Sequence, residues 1–118
     1  MLRIEEEITF DTPARIALKG LQAEFTLTCR LLDVEHLKAL QERQRQGQMS
    51  PQEFASTIVV GWPAGQVVAA DGAALPYSEA NLQRLQGVPG ATVAIIRAFY
   101  AGYDEATEGN CAPPSAGS

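Results

Sequence analysis

Ala23-Glu24-Phe25-Thr26-Leu27-Thr28-Cys29-Arg30-Leu31-Leu32-Asp33 decides the fold of this chain. Ala23, Phe25, Leu27, Cys29 and Leu31 alternate with Glu24, Thr26, Thr28 and Arg30, the period of two that marks a half-buried strand. At Asp33 the period changes. Val34, Leu37 and Leu40 recur at helical spacing, and the Asp33 carboxylate can cap the free amides of a first helical turn. A strand is therefore predicted to hand over to a helix within a few residues.

Upstream, Leu2, Ile4, Ile8 and Phe10 occupy even positions and predict a first strand. Asp11-Thr12-Pro13 reads as a turn cluster that ends it or makes it an edge. Alternation resumes at Ala14, Ile16 and Leu18, and Gly20-Leu21-Gln22 permits a hairpin turn. The first third is thus an antiparallel hairpin or a three-strand meander.

Downstream, Gln41 to Gln48 is polar apart from Gly47, so the helix that starts at Asp33 is expected to fray there into a linker. Ser50-Pro51-Gln52-Glu53 is a capping box with proline at the first helical position. Phe54 and Ile58 share a face of the helix that follows, and Gly61 is expected to close it just before Trp62. Asp71-Gly72 predicts a tight turn between Val67-Val68 and Ala74-Leu75. Ser78 caps a helix carrying Leu82 and Leu85. From Ala91, the positions Val93, Ile96, Phe99, Tyr100 and Tyr103 trace an amphipathic stripe along a last helix ending near Glu108. The fold class is α+β: strands in 1–32, about four helices in 33–108, one domain over 1–108, and a disordered tail over 109–118.

Composition narrows the functions. The 118 residues suffice for one core. Nine basic against fourteen acidic side chains give a net charge of −5, the wrong sign for neutralising phosphates, so nucleic acid is not an expected partner. Apolar runs are too short to span a bilayer, and the opening Met1-Leu2-Arg3-Ile4-Glu5-Glu6-Glu7 lacks the pattern of a signal peptide. No membrane is expected, and a cytoplasmic location is.

Chemistry-bearing residues are sparse. His36 is the single histidine and sits in a first helical turn, Cys29 alternates into an apolar strand face, and Cys111 lies in the polar tail. Glu5 and Glu7 share one face of a strand while Glu6 points away, which reads as a solvated face. No nucleophile, base and oxyanion donors assemble at plausible spacing, so no enzyme, no cofactor and no metal are expected. Gly61 and Trp62 are read as structural, the tryptophan as a plug beneath the loop over 62–77, and Asp71 and Gly72 as its turn. Ile96, Phe99, Tyr100 and Tyr103 are candidate partner-binding residues, because the stripe is wider than one small core needs.

The order of these pieces resembles the tail assembly chaperones of long-tailed bacteriophages and prophages. The resemblance covers roughly 23–110. It runs from Phe25 to Asp33 and through Val59-Val60-Gly61-Trp62, Asp71-Gly72 and Leu75-Pro76-Tyr77-Ser78. It continues through Asn81-Leu82 with Leu85 and the stretch from Pro89 to Asn110. Pro63 directly after the tryptophan and an uncharged tail depart from the pattern. The resemblance implies a non-catalytic accessory protein that binds the tape-measure protein during tail-tube assembly. It further implies contact with the tail-tube protein and room for homo-oligomers. Two other readings are a structural, self-assembling phage component and a small ligand-binding or hydrolytic domain built around His36 or Glu5–Glu7.

Overall fold

The structure is a computed structural model and describes residues 8–18, 21–69 and 71–111. Its architecture is α+β. Two long strands, β1 (Thr9–Leu18) and β2 (Leu21–Arg30), precede α1 (Val34–Arg45) and α2 (Pro51–Ile58); a short β3 (Val59–Gly61) follows, then α3 (Glu79–Gln86) and α4 (Ala91–Cys111). The sheet is antiparallel in the order β1-β2-β3.

The first strand differs from its sequence reading. β1 runs unbroken through Asp11-Thr12-Pro13 instead of turning there. Pro13 lies opposite Thr26, and the Thr26 amide points away from β1, donating to Gln66 Oε1 at 2.7 Å. The two residues therefore form a non-hydrogen-bonded pair, and on this edge strand the missing proline N–H faces outward at no cost to the ladder. The even-numbered apolar pattern is one strand's inner face: Phe10, Thr12, Ala14 and Ile16 stand opposite Cys29, Leu27, Phe25 and Ala23. Expectations for Leu2, Ile4 and Glu5–Glu7, and the tail over 112–118, lie outside the described residues, as do Lys19 and Gly20 in the hairpin connection.

Helix α1 starts as expected, the Asp33 carboxylate accepting the His36 amide at 2.7 Å. It continues to Arg45 rather than fraying after Leu40. Glu42 explains this, since its carboxylate receives both Arg45 and the Gln46 amide group one turn on. Leu37 and Leu40 are buried, while Val34 is exposed. In α2 both halves of the capping box form, Ser50 Oγ accepting the Glu53 amide and Glu53 accepting the Ser50 amide. These bonds to the Ser50 backbone and hydroxyl hold the Glu53 carboxyl below its ordinary value. A depressed carboxylate contributes stability above its unfolded pKa and loses it as pH falls through the folded one. Thermal melts from pH 6 down to about pH 3 are therefore expected to drop less steeply for Glu53→Gln than for the parent, since only the parent loses this carboxylate.

The helix read over 50–60 stops at Ile58. Val59-Val60-Gly61 is a third strand beside Thr28 and Cys29, so strands are not confined to 1–32, and Gly61 is a strand residue rather than a left-handed helix cap. β-Branched residues beside an open edge of β2 favour the ladder over another helical turn. Helix α4 reaches Cys111, past the expected end near Glu108.

The helices cover one face of the sheet. Small residues let α4 lie close on β1: Ala91, Ala94 and Ala98 are buried, and a Cβ on Gly102 would fall 2.5 Å from the Phe10 ring and 2.8 Å from Thr12 Cβ. The buried Thr12 hydroxyl donates to the Ala98 carbonyl at 2.9 Å, giving this buried polar side chain a partner.

Candidate functional site

Two cavities of about 530 and 660 Å³ open side by side between α2 and α3, and Ser56, Thr57 and Gln83 line both. They form one groove. Its walls follow from helix periodicity: Phe54 and Ile58 of α2 and Leu82 and Leu85 of α3 turn into the core, which leaves Gln52, Ser56, Gln83 and Gln86 on the side facing solvent. The Gln86 amide donates to Ser56 Oγ at 3.1 Å and accepts from the Thr92 hydroxyl at 2.9 Å, tying α2, α3 and α4 together beneath the groove. At the other end, Arg30 donates from Nε to the Thr57 carbonyl at 2.9 Å, linking β2 to α2. Amide, hydroxyl and short apolar groups are a lining suited to a polypeptide, with Glu53 at one end and Glu79 with Arg30 at the other.

The segment from Val59 to Ser78 builds the wall beside Arg30. The Trp62 indole is buried and its Nε1–H donates to the Leu75 carbonyl at 2.9 Å. Tyr77 stands edge-on to that indole, ring centres 5.1 Å apart, and its hydroxyl donates to the Val59 carbonyl at 3.3 Å. Burial, then the nearby Glu79, push the Tyr77 hydroxyl above its ordinary pKa, with Arg30 opposing. Between these anchors Val68 bridges Ala74 and the Leu75 amide donates to the Val67 carbonyl, a minimal hairpin. Asp71 Oδ1 accepts the Ala73 amide, and Gly72 sits at φ +86°, a conformation open to glycine and strained for a side chain.

No family model, curated protein or solved structure matches this chain.

The stripe picked as partner surface is corrected by the packing. Phe99 is fully buried and Tyr103 nearly so, so neither faces a partner. Phe99 is the hub of an aromatic cluster, 5.9 Å from Phe10, 5.8 Å from Phe54, 5.2 Å from Tyr100 and 5.6 Å from Tyr103. Tyr103 donates to the Leu32 carbonyl at 2.7 Å, and burial, then Asp33 and Asp104, raise its pKa. Ile96 and Tyr100 are half-buried, and Tyr100 stacks on Phe54 and receives the Gln41 amide. Val93, read into the same stripe, is 57% exposed. The physical reason is rotation of the buried face: Ala91, Ala94 and Ala98 take the positions against the sheet, which turns the large side chains sideways into the core.

His36 is exposed in the first turn of α1 and lines, with Ile8, Leu31 and Asp33, a third cavity that shares Arg30, Ser56 and Thr57 with the groove. Cys29 is fully buried, and burial, then Asp11, push its thiol up to about 12, leaving it protonated and inert at neutral pH. Among the described residues, no group of three or more His, Cys, Asp or Glu is placed to hold a metal, and no helix is long and apolar enough to cross a membrane. The groove residues Ser56, Thr57, Gln83 and Gln86 escaped the sequence reading, since uncharged polar side chains on the outer faces of two short helices are what any solvated surface presents. Their signal is tertiary.

Proposed function

We propose that this protein is a tail assembly chaperone of the long-tailed phage and prophage type, which holds a segment of the tape-measure protein in the groove between α2 and α3. One observation carries the reading. The separated pieces Val59-Val60-Gly61-Trp62 and Leu75-Pro76-Tyr77-Ser78 are bonded to one another through Trp62 to Leu75 and Tyr77 to Val59, so the resemblance concerns one physical unit rather than scattered residues. That unit walls the groove, which links the resembling residues to a surface able to take a polypeptide. Binding there is stoichiometric: the protein covers the tape measure while the tail tube grows and leaves before the particle is complete. Contact with the tail-tube protein and self-association belong to the same proposal, as does action in the host cytoplasm.

Co-expression with a tape-measure protein from the same genome tests this. The tape measure is expected to become soluble and co-purify, and finished particles are expected to lack the chaperone. A tape measure that is soluble alone, or high-copy chaperone in finished tails, would contradict the reading and favour a structural component.

A further inference from the structure

The sheet has two unequal edges. On β1, the outward position at the centre is Pro13, which has no amide to offer an incoming strand. On β2, the three residues of β3 pair with Thr28 and Cys29 and stop short of Thr26. The Thr26 amide, next along, is met by the side-chain carbonyl of Gln66 at 2.7 Å, in the place a strand's backbone carbonyl would take. Since Thr26 points away from β1, so do Glu24 and Gln22 two and four residues back. Among the described residues no hydrogen bond engages their outward backbone groups, and both residues are exposed.

We propose that the outer edge of β2 from Gln22 to Thr26 accepts an extended peptide segment of another protein as an added strand, collinear with β3 and displacing the Gln66 side chain. This rests on the sheet alone and not on the tape-measure reading. A separate peptide fits better than a second copy of the chain. The open edge spans five residues, about 17 Å, and a strand laid there buries on the order of 300 Å² per partner, well short of the ~800 Å² of a stable protein pair. A short peptide bound mainly through its backbone suits such an edge. Charge narrows its composition: the Glu24 carboxylate on the outer face is held by Arg15 at 2.7 Å, so it is the net charge of −5 on the chain that favours a neutral or basic peptide, with apolar residues alternating onto the side of Phe25.

The probe is a displayed library of random short peptides, selected on the full chain. Recovered peptides are expected to be free of proline at their centre, to alternate as described, and to slow hydrogen exchange at Gln22 and Glu24. Glu24→Pro removes one outward donor and the ion pair with Arg15 while leaving the backbone bonds to β1, because Glu24 faces Arg15 in a non-hydrogen-bonded pair. It should weaken binding about tenfold or more, whereas Glu24→Gln should retain most of it. Should the proline variant fail to fold, N-methylation of alternate peptide amides tests the same bonds from the ligand side and should abolish binding. Recovery of no peptide, equal binding to the proline variant or by the methylated peptides, protection confined to α2 and α3, or self-association protecting Gln22 and Glu24 would each overturn the proposal.

Discussion

Trp62→Ala is expected to lower stability by about 3 to 5 kcal/mol and melting by roughly 10 °C or more, the largest loss of any single truncation in the segment from Val59 to Ser78. The indole is 7% exposed, and its removal leaves a void against the Tyr77 ring. It also strips the Leu75 carbonyl of its donor, at about 1 kcal/mol more. Trp62→Phe separates the two terms, because it keeps most of the apolar bulk and loses the bond. Its melting point is expected between those of parent and alanine variant. A Trp62→Ala protein that melts within a degree or two of the parent would show that the indole does not hold this segment in place.

Gly102→Ala is expected to destabilise by about 1 to 3 kcal/mol, although alanine is the better helix former by about 1 kcal/mol. The sign is set by the neighbours. The added methyl would lie 2.8 Å from Thr12 Cβ, an atom that cannot move without the backbone of β1, and 2.5 Å from the Phe10 ring. Relief requires α4 to lift from β1, which stretches the buried bond from Thr12 to the Ala98 carbonyl. Equilibrium unfolding in urea reads the effect directly. A neutral or stabilising result would mean that the two elements do not pack this closely.

Much of this fold was legible because local rules and tertiary packing agree over most of the chain. Asp33, Ser50 and Ser78 each cap the helix that their spacing announces, and the alternation from Phe25 to Cys29 is that of the half-buried strand found there, although Ala23, read into the same face, is exposed. Reading failed where a neighbour decides. Pro13 reads as a strand breaker, and only its place on an edge, opposite an amide turned away, makes it harmless. Val59-Val60-Gly61 has no pattern of its own that separates helix from strand; the open edge of β2 selects the strand. On α4 the large residues drew attention to Val93, Ile96 and Phe99, while the residues that set the packing are the small ones, Ala91, Ala94, Ala98 and Gly102, whose importance lies in the absence of a side chain. The groove was the least legible part, because a groove is a relation between two helices and its polar lining carries no periodic mark.

The proposed function places a tape-measure segment in the groove between α2 and α3. Hydrogen exchange of the full chain, free and mixed with a tape-measure protein from the same genome, tests it most directly. Amides over 52–61 and 77–87 are expected to exchange more slowly in the complex, with those over 92–104 changing little because that helix is already buried against the sheet. Protection concentrated over 92–104, or no protection anywhere, would contradict the account.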